Sequence, residues 1–203
     1  MAIRTLGTDP DSVLEAAEIV RAGGLVAFPT DTVYGLGADP FRDESVDRLF
    51  EAKGRESKPI PVLCADAGRA SSLVLLQGRA LELAERYWPG PLTVVAPLRR
   101  GVPQKLDQGS GSLGVRVPDS SIARSLAAAL GGYVTGTSAN LSGRPSCRTA
   151  EEVRASLGER VDAVVDGGRL TGAESTVVKV VGDSIEVLRR GAIAFGSGTT
   201  QES

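Results

Sequence analysis

The 203-residue sequence contains no histidine. That absence removes Ser-His-Asp and Cys-His nucleophile systems, zinc sites built on imidazole, and the usual general base near neutral pH. Chemistry must then rest on Lys, Arg, carboxylates, hydroxyls, backbone amides or a bound ion. Aromatic residues make up only 4%, so Leu, Val, Ile and Ala must build the core, and stacking platforms for bases are scarce. Apolar runs of membrane-spanning length are missing, and residues 1–7 lack the basic-then-apolar pattern of a secretion signal. A cytoplasmic protein without membrane contact is expected, with Cys64 and Cys147 as reduced, buried thiols. No sign of charge dominates: the formal net charge of −2 argues against a broad nucleic-acid track, although a local basic cleft can hide inside a balanced total.

Hydrophobic residues at 41% and charged residues at 24% are globular values, enough for one domain with a sizeable core. The 25 glycines and 11 prolines fall between apolar runs and mark tight connections rather than a linker. Asp9-Pro10 signals a helix start, followed by Val13, Ala16, Ala17 and Val20 at helical spacing and a Gly23-Gly24 stop. Further helices are predicted from Asp43 (Val46, Leu49 and Phe50 on one face), over 66–76, 79–87 and 120–130, and from the Thr149 cap to Leu157. Strands are predicted over 25–28, 60–64, 92–98, 113–117, 133–137 and 161–165. A hairpin joins 176–181 to 184–188 through Gly182-Asp183. The segments 30–37, 53–58 and 99–112 read as loops, and 196–203 as a disordered tail to a 1–195 domain. Strands interleaved with helices imply an α/β domain with a twisted mixed parallel/antiparallel sheet.

Two familiar patterns fail on context. The run Gly109-Ser110-Gly111-Ser112-Leu113-Gly114 matches a dinucleotide fingerprint in letters, but a strand rather than a helix is predicted after it. Asn140-Leu141-Ser142 matches a glycosylation acceptor without a secretion signal. No GxxxxGK[ST] motif occurs, so a nucleotide would have to be held by another route.

What remains is a recurrence of hydroxyls and cations at strand exits. Lys53, Arg55 and Lys58 form either a solvated face or a phosphate clamp. Arg116 lies inside an apolar strand, where a guanidinium must be paired or must face a cleft. Ser138-Ala139-Asn140 and Glu174-Ser175-Thr176 are either turn chemistry or donors and acceptors aimed at a ligand. Arg189 ends the last strand as an edge charge or a ligand contact. Together they suggest a cleft along one side of a sheet.

Seven segments, in order, resemble the YrdC family of threonylcarbamoyl-AMP synthases. They are Phe28-Pro29-Thr30-Asp31-Thr32-Val33-Tyr34-Gly35-Leu36-Gly37, Lys53-Gly54-Arg55, Trp88-Pro89-Gly90-Pro91-Leu92-Thr93, Val115-Arg116-Val117-Pro118, Ser138-Ala139-Asn140-Leu141-Ser142-Gly143, Glu174-Ser175-Thr176 and Leu188-Arg189-Arg190-Gly191-Ala192-Ile193. The resemblance spans about residues 12–193 and implies an α/β fold with a basic concave cleft, in the short bacterial form. By this resemblance Thr32, Arg116 and Ser175 would hold L-threonine. Lys53, Arg55, Ser112, Ser138, Asn140, Ser146 and Arg189 would contact ATP, with Lys53 and Arg55 supplying catalytic charge. The chain departs from the commonest pattern at Leu63, near where many members carry His, in a 55–59 loop one residue shorter, and at Arg190 in place of a frequent Pro.

The implied reaction joins L-threonine, bicarbonate and ATP into threonylcarbamoyl-AMP and pyrophosphate, for a downstream transferase complex acting on tRNA. No metal-ligand cluster is visible, so Mg²⁺ is expected to arrive with ATP. Two alternatives stay open: a related domain that adenylates carbamate for another acceptor, and a non-catalytic module with weak RNA binding.

Overall fold

In the computed structural model, residues 3–54, 59–102, 105–182 and 184–195 are described. Arg55 and Lys58 of the basic segment, Asp183 of the hairpin turn, and the tail from Gly196 lie outside the described residues. The elements in chain order are β1 (Arg4–Leu6), α1 (Pro10–Arg21), β2 (Val26–Phe28), β3 (Gly35–Gly37), α2 (Asp43–Lys53), β4 (Val62–Cys64), α3 (Ala67–Leu73) and α4 (Arg79–Tyr87). There follow β5 (Leu92–Pro97), β6 (Ser112–Arg116), α5 (Ser121–Ala129), β7 (Tyr133–Thr135), β8 (Thr137–Ser138), α6 (Ala150–Leu157), a 3-10 turn (Gly158–Arg160), β9 (Ala163–Val165), β10 (Thr176–Val181) and β11 (Ser184–Arg189). No helix among the described residues is long and apolar enough to cross a membrane.

The predicted caps form. The Asp9 carboxylate accepts the Ser12 amide at 3.0 Å and Pro10 occupies the first turn of α1. Thr149 caps α6 in the same way, and Ser120, read from sequence as the first residue of a 120–130 helix, is the N-cap of α5. Mixed strand pairing is also as expected, but it is distributed over two sheets. One has the order β1-β9-β2-β3-β8 and the other β11-β10-β5-β6-β4-β7. Helices α1 and α5 pack their apolar faces with Phe28, Leu63, Val134 and Ala163 into one core cluster. A larger cluster joins α2, α3, α4 and α6 to strands of both sheets.

Besides shifts of one or two residues at strand and helix ends, several elements differ from the sequence reading. The segment 30–37 is not all loop, because Gly35–Gly37 pairs with β2 and β8. Glycine suits this strand: a Cβ at Gly37 would lie 2.8 Å from Phe28 Cε1. Strand β1, too short to show periodicity, pairs parallel with β9. Helix α3 ends at Leu73, since Val74 bridges Leu98 and the Leu75 amide bonds Pro97 O at 2.8 Å. Lys53 is the last residue of α2 rather than part of a loop, and the left-handed Gly54 (φ 55°) ends the helix after it.

The predicted 133–137 strand divides at Gly136. Its first part, β7, pairs with β4 in the second sheet, and its second part, β8, pairs with β3 in the first. A Cβ at Gly136 would meet Leu63 Cγ at 2.6 Å, so the chain crosses between the sheets where only glycine fits. Thr135 fastens this crossing. Its fully buried hydroxyl donates to Leu36 O (3.0 Å) and accepts from Ala38 N (2.8 Å). Thr135→Val keeps the shape and leaves that buried N–H unpaired. We expect a loss of about 1–3 kcal/mol in urea unfolding; an unchanged midpoint would remove Thr135 as the fastening between sheets.

Candidate functional site

A cleft of about 670 Å³ opens between the two sheets, within the usual size range for a small-molecule site. Of the ten residues singled out from sequence, nine line it: Thr32, Lys53, Ser112, Arg116, Ser138, Asn140, Ser146, Ser175 and Arg189. The tenth, Arg55, lies outside the described residues. Sequence positions 85 or more apart thus meet on one surface. Among the lining residues, five cationic side chains (Lys53, Arg116, Arg144, Lys179, Arg189) face two carboxylates, Glu174 and Glu186, so the cleft is basic although the chain is not.

Arg116 ends β6 with its side chain 6% exposed. Its Nε donates to Gly90 O (2.9 Å) and Nη1 to Thr32 Oγ1 (3.2 Å), while Nη2 bonds the Asp31 carboxylate. Thr32 is itself positioned by Thr30, whose hydroxyl lies 3.0 Å away and donates to Val33 O. Burial pulls the Arg116 pKa below that of a free guanidinium; Asp31 works against this, and the nearby Arg189 charge adds to the lowering. Both alternatives for Arg116 therefore hold at once: it is paired, and it faces a cleft.

Ser175 lies beside this floor. Its Oγ is 3.1 Å from Thr93 Oγ1 and accepts from Arg189 Nη2 at 2.8 Å. Arg189 also holds Ser175 O through Nε (3.1 Å) and Nη2 (2.8 Å), and its Nη1 pairs with Glu174 at 2.9 Å. The other oxygen of Glu174 accepts from Ser146.

On the facing side, Lys53 Nζ is buried and donates to the carbonyls of Ser138 and Asn140, the latter at 2.9 Å. Asn140 Nδ2 donates to Leu141 O and Arg144 O at 2.9 and 2.7 Å, and its buried Oδ1 has no partner. Ser112 opens β6 at the rim. Leu63, Val95, Val177 and Leu188 add apolar lining. Tyr34 crosses beneath: its hydroxyl donates to Gly168 O (2.8 Å) and accepts from Gly167 N (3.1 Å), and burial raises its pKa. The predicted thiols are both free and buried, and desolvation raises both pKa values.

Sequence reasoning gave no role of their own to two carboxylates that pair with site arginines. Asp31 and Glu174 each stand directly before a hydroxyl residue of the site, Thr32 and Ser175. That repeated acid-hydroxyl pairing was the available signal. It also passed over Arg144, exposed at the rim.

Fold and cleft together define an α/β protein with a basic cleft lined by hydroxyls between two sheets. Residues 18–191 match the Sua5/YciO/YrdC family model, described as telomere recombination, and the chain belongs to that family. It is 40% identical over 186 residues to a threonylcarbamoyl-AMP synthase of Halorhodospira halophila (strain DSM 244 / SL1), covering 91% of this chain and 97% of that relative. With the threonylcarbamoyl-AMP synthase of Bacillus subtilis (strain 168) it shares 38% over 192 residues, covering 93% and 56% respectively. The structure of P. abyssi Sua5 complexed with L-threonine superposes with a TM-score of 0.87 at 36% identity, over 94% of this chain and 58% of that one. E. coli YciO gives 0.85 at 28% identity, over 94% and 96%. This chain therefore spans little more than half the length of the B. subtilis and P. abyssi relatives and nearly all of the H. halophila one.

The Arg116–Asp31 pair yields a stability test. Removing one partner of a buried pair leaves the other charge uncompensated. Asp31→Ala should cost about 3 kcal/mol, the low end for such pairs because the cleft admits water. The double variant Asp31→Ala, Arg116→Met should recover much of that loss in urea unfolding. Equal stability of the single variant and the parent would show that Asp31 does not hold Arg116.

Proposed function

We propose that this protein is a threonylcarbamoyl-AMP synthase, joining L-threonine, bicarbonate and ATP into threonylcarbamoyl-AMP, pyrophosphate and water. The observation that carries the reading is the buried, forked Arg116 at the floor of a basic cleft, beside the hydroxyls of Thr32 and Ser175. That is the geometry for a substrate carrying a carboxylate and a hydroxyl. The family and the names of its relatives agree with it.

In this reading Arg116 fixes the threonine carboxylate, and Thr32 and Ser175 orient the amino acid. Bicarbonate adds to the amine with loss of water, and the resulting carbamate oxygen attacks the α-phosphorus as the bond to pyrophosphate breaks. Lys53, Arg55 and Arg189 neutralise charge that develops on the phosphates, while Ser112, Ser138, Asn140 and Ser146 position the nucleotide. No histidine is required, because the step depends on alignment and charge more than on a protein base. Among the described residues no three His, Cys, Asp or Glu side chains cluster as a metal cage. In this reading Mg²⁺ would travel with the ATP phosphates as part of the substrate. A cytoplasmic site of action and hand-over to a tRNA-modifying transferase complete the proposal.

Pyrophosphate release should require both L-threonine and bicarbonate, and serine should support less of it. ATP binding without threonine dependence would instead favour the carbamate-adenylating alternative, and salt-sensitive RNA binding without ATP binding the non-catalytic one. Arg116→Lys keeps a charge against Asp31 but loses the planar fork. We expect KM for threonine to rise at least tenfold, about 1.4 kcal/mol of lost binding, with little change in KM for ATP. An unchanged threonine KM would remove Arg116 from the amino-acid seat.

A further inference from the structure

The geometry points to Glu174 as an internal counter-ion for the phosphate seat, one that yields to the substrate's phosphates and returns to help expel pyrophosphate. This rests on the proposed ATP reading, in which Ser146 and Arg189 contact the nucleotide. In the structure those two groups share a single anion already. One oxygen of Glu174 accepts from Ser146 Oγ and the other pairs with Arg189 Nη1 at 2.9 Å. A carboxylate thus occupies the place between a hydroxyl and a guanidinium that a phosphoryl group would need.

Three further observations separate a counter-ion from a simple brace. Arg189 does not depend on Glu174 for its orientation, because Nε and Nη2 both hold Ser175 O and Nη2 also holds Ser175 Oγ. Removing the Glu174 charge would therefore free Arg189 electrostatically without releasing it mechanically. The Arg189 charge also adds to the lowering of the buried Arg116 pKa. Asp31 neutralises one guanidinium and Glu174 the other, which makes the two positive charges compatible in a ligand-free cleft. Glu174 differs from Asp31 in accessibility: its side chain is 37% exposed against 13%. It has room to swing aside when phosphates arrive, whereas Asp31 is largely buried.

The consequence runs opposite to that of a binding residue. A group that assists phosphate binding weakens it when removed, whereas a competitor strengthens it. We expect Glu174→Gln to bind inorganic pyrophosphate and ATP more tightly than the parent protein, by roughly threefold, the scale of a partly exposed ion pair. Pyrophosphate should inhibit the variant at correspondingly lower concentration. Glu174→Ala should shift both in the same direction, which guards against substitute hydrogen bonds from the glutamine amide.

Calorimetric titration of pyrophosphate alone, at one fixed salt concentration, measures this without reference to turnover. Unchanged or weaker pyrophosphate binding in both variants, with an unaltered melting temperature, would overturn the counter-ion. The outcome is separable from the reading it rests on. Tighter binding in a protein without threonine-dependent turnover would keep the counter-ion and sink the synthase. Normal turnover in the parent with no tightening in the variants would do the reverse. Failure of parent and variants alike to bind pyrophosphate or ATP would remove both.

Discussion

The structure is organised around a guanidinium that has been taken out of water. Arg116 is 6% exposed at its side chain, and an uncompensated charge at such a position would cost several kcal/mol. Its donors must be met, and they are met by groups far apart in the chain: Gly90 O before β5, and Asp31 and Thr32 after β2. Those acceptors come from segments flanking strands of both sheets. Satisfying Arg116 therefore also fixes how the two sheets approach, and the cleft lies where they do so. The Thr135 hydroxyl and the Gly136 crossing complete the same junction from the side of β7 and β8.

The remaining cations follow the same rule. Lys53 is held by carbonyls of 138 and 140, and Arg189 by Ser175 and Glu174. Preorganised charge is what a phosphoryl-transfer site needs, because donors already in place require no reorganisation as charge develops. Preorganisation also has an opposing effect. Each internal acceptor competes with the ligand for the same donor, so affinity is held down while geometry is kept. Under the proposed function, pyrophosphate release would gain from that compromise.

The sequence carried most of the fold in local signals. Asp9 and Thr149 announced their helices through side-chain oxygens placed before an apolar period, and the hairpin over 176–188 was marked by Gly182-Asp183. What escaped had no local cause. Gly35-Leu36-Gly37 has poor strand propensity and pairs only because β2 and β8 flank it. The division at Gly136 is a tertiary event, set by Leu63 from another strand. The site was legible as hydroxyls and cations at strand exits, and nine of its ten predicted members reach one cleft. The pairing of those members was not legible, because Arg116 with Asp31 spans 85 positions and a salt bridge at that distance leaves no periodic trace.

A site without histidine bears on how the residues divide their tasks. Near neutral pH the side chains left in this cleft are mostly permanent charges and neutral hydroxyls, which bind and orient but exchange protons poorly. Glu174 and Asp31 each sit against an arginine and balance its guanidinium charge. The reaction such a cleft suits is one in which the nucleophile is already an anion when it meets phosphorus. In the proposed function the carbamate oxygen meets that condition when it reaches the α-phosphorus.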